Sequence, residues 1–180
     1  MHRRLAFAGC AAVLSLCLLA CQDGGHNGGH ATASDASLAT RLQRIEDEKQ
    51  IHDLMIQYGR SLDTKDFAAY AQLFAKDGEW SGLIGQFTTV KGAENIRAAM
   101  EKAFAARTYD AEHITNLHVF SNIKIDVDGD RAIAYSKWTV LSRNEKDEPY
   151  IRVNGHYDDV FIRDGSQWKF ASRVARREIP

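Results

Sequence analysis

The stretch Gln50–Trp80, QIHDLMIQYGRSLDTKDFAAYAQLFAKDGEW, decides the fold. Within it Ile51, Leu54, Met55, Tyr58 and Leu62 recur at three- and four-residue intervals, which predicts an amphipathic helix that lays one face on a core and ends near Asp63. A second helix follows almost at once. Phe67, Tyr70, Ala71, Leu73 and Phe74 form its apolar side, and Asp66 is placed to cap it by accepting from free backbone N–H groups. Asp63 is then left over, and two readings are open for it. It caps the second helix itself, or it projects into a cavity between two tightly joined helices, where a charge needs a partner.

Upstream, the helical pattern reaches back to Leu38, with Leu42 and Ile45 continuing the apolar stripe. Before it, Gln22 to Ser37 is rich in Gly, Ser, Ala and His without an apolar period, and reads as a flexible tether. His26 and His30 within it lack the preorganisation of a metal site. Met1-His2-Arg3-Arg4 is a short basic start, followed by an apolar run, Leu5 to Leu19, of about fifteen residues, shorter than the ~20 that span a bilayer. The run ends in Leu18-Leu19-Ala20-Cys21, which resembles a bacterial lipobox, so the expectation is a lipid on Cys21. The alternative is an ordinary secretory signal with a chance cysteine. Several acyl chains, at ~0.8 kcal/mol per buried methylene, make a durable anchor where a single myristoyl chain is marginal.

The expected organisation is therefore a signal peptide over 1–20, a lipidated cysteine and tether over 21–37, and one domain over 38–180. That puts the protein in the bacterial cell envelope, anchored to the membrane through Cys21 on the periplasmic side. Gln22 beside the cysteine argues against inner-membrane retention, which in a Gram-negative cell would favour the outer membrane. Cys10 and Cys17 leave with the signal, so the domain has no free thiol, which excludes thiol catalysis and cysteine-bound zinc. A formal net charge of −1 over 180 residues gives no pull toward nucleic acid.

Downstream, Lys76-Asp77-Gly78 turns into a short strand over Glu79–Ile84. Gly85–Lys91 is a loop or second strand, and Glu94–Ala106 is a third helix with Ile96, Met100 and Phe104 at helical spacing. The period then changes to two. His113, Thr115, Leu117, Val119, Ser121, Ile123, Ile125 and Val127 share one parity of a long strand and are expected to face inward, with Asn116, His118, Asn122, Lys124 and Asp126 on the other face. Asp128-Gly129 makes a hairpin to Arg131–Arg143, and strands over Tyr150–Ile162 and Gln167–Arg176 complete the chain. Three helices followed by a meandering antiparallel sheet is an α+β plan, with a curved sheet wrapping the long helix.

Taken in order, Ile51-x-Asp53-Leu54, Tyr58, Leu62-Asp63, Asp66-Phe67, Leu73-Phe74, Asp77-Gly78-Glu79-Trp80, Lys91-Gly92-x-Glu94, His113-x-x-Asn116, Asp128-Gly129-Asp130-x-Ala132 and Gly165-x-x-Trp168-Lys169-Phe170-x-x-Arg173 cover essentially the whole domain. This pattern resembles the SnoaL-like branch of the NTF2-like superfamily, which includes scytalone dehydratase and hexachlorocyclohexane dehydrochlorinase. The resemblance implies a cone, in which the sheet curls over the first helix and leaves a pocket open at one end. It also implies a dyad of Asp63 and His113 on the pocket wall. Tyr58 and Trp80 are candidate substrate contacts, with core packing as their alternative. Arg173 falls where the dehydrochlorinase has an arginine that stabilises a leaving anion. Its parity opposes Trp168 and Phe170, which leaves a surface arginine as the alternative. Tyr58 stands where the dehydrochlorinase has a lysine, so dehydrochlorination itself is not implied. His156 is the candidate for the second histidine of scytalone dehydratase.

Neutral imidazole is a good base near pH 7, and a carboxylate on its far nitrogen fixes the tautomer and stabilises the imidazolium. The expected activity is that of a cofactor-independent lyase or isomerase, abstracting a proton from carbon in a small, largely apolar molecule. The alternative is a non-catalytic module that binds a ligand in the cone or docks a partner. Relatives dimerise through the sheet, and Trp138 and Val140 are candidates for that surface. No metal is expected, since His113 and His118 lie on opposite faces of one strand.

Overall fold

A computed structural model describes residues 33–84, 86–105, 116–144 and 146–179. The expected signal, Cys21, most of the tether, and His113 lie outside the described residues. Two helices, α1 (Ala33–Asp63) and α2 (Phe67–Gln72), lead into the hairpin β1 (Phe74–Ile84) and β2 (Gln86–Lys91). After α3 (Ala93–Phe104) come β3 (Asn116–Asp128), β4 (Arg131–Arg143), β5 (Pro149–Asp164) and β6 (Gln167–Ile179). The six strands form one sheet in the order β2-β1-β6-β5-β4-β3. The sheet is mainly antiparallel, with β1 pairing parallel to β6, and one correction follows: the hairpin separates α3 from α1 and α2, so the three helices do not all precede the sheet.

Ile51, Met55, Tyr58 and Leu62 of α1 are buried against the sheet, together with Phe74, Phe161, Trp168 and Phe170. Leu38, Leu42 and Ile45 continue the stripe in sequence but are exposed, so the N-terminal part of α1 runs past the body it packs on. The helix is tied down where the core begins. Asp47, only 3% exposed, accepts from Trp168 Nε1 and Gln43 Nε2, each at 3.1 Å, and from Arg163 Nη2 at 2.8 Å. Arg163 in turn stacks on the Trp168 ring and reaches Asp130.

Extra residues in three strands decide which side chains enter the concavity. In β3, Asn122 and Ile123 oppose the single Ser136 between the pairs Ser121↔Lys137 and Lys124↔Tyr135. Asn122 takes a left-handed conformation (φ 50), which asparagine tolerates better than most residues. Inward parity is thereby reversed part-way along the strand. Asn116, His118 and Phe120 point in before the bulge, and Ile123, Ile125 and Val127 after it. Leu117 and Val119, expected inside, are 50% and 42% exposed on the outer face.

In β6, Ala171 is the extra residue opposite Val160–Phe161, which turns Arg173 inward after Trp168 and Phe170. Glu178 is a second extra residue on β6, and Arg152 is the extra residue on β5 opposite Val140–Leu141. On β4 the even positions, Trp138 and Val140 included, are buried under the helices, and Ile133 and Tyr135 face out. The expected use of Trp138 and Val140 as a dimer surface is therefore corrected.

Close approach of α1 and β3 rests on Gly59. A Cβ there would lie 2.8 Å from Phe120 Cε2 and 3.3 Å from His118 Cβ. Gly59→Val should force the strand off the helix and destabilise the fold by about 2–3 kcal/mol, read by urea unfolding. Asp47 gives a pH prediction. Burial pushes its carboxyl up, but the hydrogen bonds from Arg163, Trp168 and Gln43 outweigh burial and hold it below its ordinary value. A group depressed in the folded state adds stability that is present above its unfolded value and lost as pH falls through its folded one. Asp47→Asn should cost about 1–3 kcal/mol at neutral pH. The difference from the parent should shrink below about pH 4, measured by urea midpoints across that range.

Candidate active site

Between α1, α3 and the concave face of the sheet lies a cavity of about 320 Å³. Tyr58 and Leu62 of α1, Tyr70 of α2, Trp80 of β1 and Met100 of α3 supply much of its wall. Trp138 and Tyr157 supply the sheet side, and Asn116, His118, Arg152 and Arg177 are its polar groups.

The reversal after α1 sets the first polar pair. Thr64 and Lys65 turn the chain, with Lys65 left-handed (φ 56) and Asp66 N donating to Ser61 O at 2.9 Å. Asp66 Oδ1 then caps α2 by accepting from Ala69 N at 2.9 Å, which frees Asp63 from that task. The Asp63 side chain is 9% exposed and faces β3. Its Oδ2 accepts the backbone N–H of His118 at 2.9 Å, and its Oδ1 lies 2.5 Å from His118 Nδ1. The imidazole bonded to Asp63 is thus that of His118, where His113 was expected. The bulge at Asn122 is the physical reason, because it puts the even residues of the leading half of β3 inside.

With Nδ1 donating to the carboxylate, Nε2 of the neutral ring carries a lone pair. His118 itself lines the cavity. Asp63 is set behind it and does not line the cavity.

Tyr58 and Trp80 both line the cavity and are bonded to each other, Trp80 Nε1 donating to Tyr58 Oη at 3.1 Å. Burial first, and then the adjacent Tyr58, pushes the hydroxyls of Tyr70 and Tyr157 well above the ordinary phenol range. These two phenols stay neutral near pH 7 and are poor bases.

Arg173 is neither a surface arginine nor part of the cavity lining. It is fully buried, its Nε and Nη2 donating to Asp159 Oδ1 and Oδ2 at 2.7 and 2.6 Å. The guanidinium sits 4.0 Å from the ring centroids of Tyr58 and Tyr157 and 4.3 Å from that of Phe170. Burial opposes its charge, but the paired carboxylate prevails and holds it protonated, above the ordinary arginine value. The cation stiffens the aromatic wall from behind, and the expected contact with a leaving anion has no geometric basis. His156 is on the outer face, its Nδ1 2.8 Å from Glu178 Oε1.

The residues missed in the sequence are His118, Asn116, Arg152, Tyr157 and Arg177. One signal for His118 was present. Phe120 breaks the alternation on the supposedly polar face, and Asn122 follows it as a residue suited to positive φ. Among the described residues no three His, Cys, Asp or Glu side chains come together as a metal site.

The sequence profile of the SnoaL-like domain matches residues 43–174. No curated protein matches the chain. Among solved structures, the chain is similar to a protein from Novosphingobium aromaticivorans provisionally named a scytalone dehydratase. Identity is 26% over 78% of this chain and 89% of that one, with a TM-score of 0.61. A provisionally named aromatic ring hydroxylase from the same organism is 25% identical over 76% and 92% of the two chains, with a TM-score of 0.63. An NTF2-like protein with a cystatin-like fold, again from that organism, shares 24% identity over 82% and 90%, with a TM-score of 0.67. With the profile spanning most of the domain, the chain belongs to the SnoaL-like domain family.

Proposed function

We propose that this domain is a cofactor-independent lyase or isomerase that moves a proton on a small molecule held in the aromatic cavity. The observation that carries the reading is the pairing of Asp63 with the cavity-lining His118. In the proposed reaction His118 Nε2 takes a proton from a carbon next to a carbonyl. The electron pair of that C–H bond becomes a C=C bond as a β-hydroxyl departs, and the imidazolium returns the proton to it as water. Without a leaving group, reprotonation at another carbon gives the isomer. Asp63 orients the ring and stabilises the imidazolium. Proton transfer by a positioned base contributes about 10²–10⁴-fold to rate. The likeness to the provisionally named scytalone dehydratase agrees with this class of reaction.

A second reading, a binding module without turnover, draws on the same aromatic walls, which hold a flat ligand whether or not it reacts. Scytalone dehydration, and deuterium uptake at the carbon beside the carbonyl of 2-tetralone in D₂O, separate the two. The expected result is dehydration or exchange above the solvent rate, reduced about 10²–10⁴-fold in His118→Ala, assayed where circular dichroism shows the variant folded. Asp63→Asn should lower kcat more than it raises KM and alter the pH profile. Binding without exchange, or exchange indifferent to His118→Ala, contradicts the enzyme and supports the module.

The proposal extends to the protein's setting: a lipid anchor at Cys21 in the bacterial envelope, and a homodimer through the outer sheet face, where Leu117, Ile133 and Ile151 are exposed. Labelling with a fatty acid should vanish in Cys21→Ser, and sedimentation should give a dimer that Ile151→Glu dissociates. Persistent label or a monomeric parent contradicts the respective part.

A further inference from the structure

The cavity is lined by aromatic and aliphatic groups, yet its charged lining residues, apart from the titratable His118, are two arginines. Among the described lining residues there is no aspartate or glutamate. Asp63 is nearby, but its two oxygens are already engaged by the ring and backbone of His118. Elsewhere in the same sheet arginines meet carboxylates: Arg173 meets Asp159, Arg176 meets Asp158, and Arg163 meets Asp47 and Asp130. Arg152 instead donates to the neutral Asn116 Oδ1 at 3.1 Å, and Arg177 has no carboxylate partner among the described residues.

Both arginines are brought to the cavity by departures from regular pairing. Arg152 is the unpaired extra residue of β5, on the strand that runs into Val153 of the cavity wall. The bulge at Ala171 puts Arg173, Ala175 and Arg177 on the inner side of β6, while the extra residue Glu178 turns out to Lys137 and His156. Bulges cost ladder hydrogen bonds and serve to re-aim side chains. Here two of them deliver guanidinium groups to one apolar hollow. Both side chains are exposed at the cavity rim without a carboxylate partner among the described residues, so an anion bound there gains charge-assisted hydrogen bonds that no protein group already uses.

We propose that Arg152 and Arg177 read a carboxylate at the mouth of the cavity, so that the ligand is a flat, largely aromatic acid whose ring system extends inward to Tyr58 and Trp80. This rests on the cavity being the ligand site and deepens the proposed function by naming the ligand class. It does not depend on turnover. Arg is suited to the task because its planar fork matches a carboxylate with two parallel hydrogen bonds.

The test is calorimetric titration of the full chain with 2-naphthoate and with 2-naphthamide, which share a skeleton and differ in charge. The acid should bind at least about tenfold more tightly than the amide, and the ratio should shrink as salt rises. In the double variant Arg152→Gln/Arg177→Gln the ratio should fall to about one, with amide binding retained as the report of an intact cavity. His118→Ala should keep the preference for the acid. A ratio near one in the parent, a preference that survives the double variant, or no binding of either compound overturns the proposal. Exchange chemistry lost in His118→Ala alongside equal binding of acid and amide sinks this inference and leaves the enzyme standing. Acid preference with no turnover does the reverse.

Discussion

One carboxylate holds the end of a helix to the edge of a sheet. Asp63 closes α1 and spends one oxygen on the backbone N–H of His118 and the other on its ring, so the bond that docks β3 on the helix also orients the imidazole. Three local conditions make this possible. Asp66 takes over the capping of α2, Gly59 lets the strand come within contact of the helix one turn earlier, and the bulge at Asn122 turns His118 inward.

Behind that pair the wall is aromatic and stiff. Tyr58 contacts Tyr70, Tyr157 and Phe170, and the buried Arg173 sits against these rings with Asp159 neutralising it. An ion pair removed from water is costly to assemble, and its partners are costly to delete singly, since the survivor is a buried uncompensated charge worth about 3–5 kcal/mol. The cation is therefore best understood as a fixed element of the core that sets where the tyrosine rings stand. The phenols stay neutral, and the guanidinium is paired with Asp159 through Nε and Nη2 while its buried Nη1 has no hydrogen-bond partner among the described residues. The polar groups that remain in the cavity wall are His118, bonded to Asp63, and Asn116, Arg152 and Arg177, none of which meets a carboxylate among the described residues.

The α+β plan, the end of α1 at Asp63, the cap at Asp66 and the two cavity aromatics Tyr58 and Trp80 were legible because they rest on local signals: a 3.6-residue period, a capping side chain, an apolar residue on a buried face. What failed was extrapolated alternation. Reading β3 as one unbroken pleat put Leu117 and Val119 inside and His118 outside, and a single extra residue inverts all three. The same failure hid Arg173 behind Trp168 and Phe170, and kept Arg152 and Arg177 out of view. Trp138 and Val140 were assigned to the wrong face because the sheet buries the even positions of β4, which only the pairing with β3 and β5 decides. A bulge is a property of two strands together, and one strand's sequence carries only hints of it, such as Asn122.

The central claim is that Asp63 holds the His118 ring with its proton on Nδ1 and Nε2 bare toward the cavity. Long-range ¹⁵N–¹H NMR of the imidazole at about pH 8, where neutral histidine tautomers are distinguishable, addresses it directly. The expected spectrum is that of the Nδ1–H tautomer with a slowly exchanging ring proton, which Asp63→Ala converts to a fast-exchanging mixture. A parent spectrum dominated by the Nε2–H tautomer, or one unchanged when Asp63 is replaced, would contradict the account.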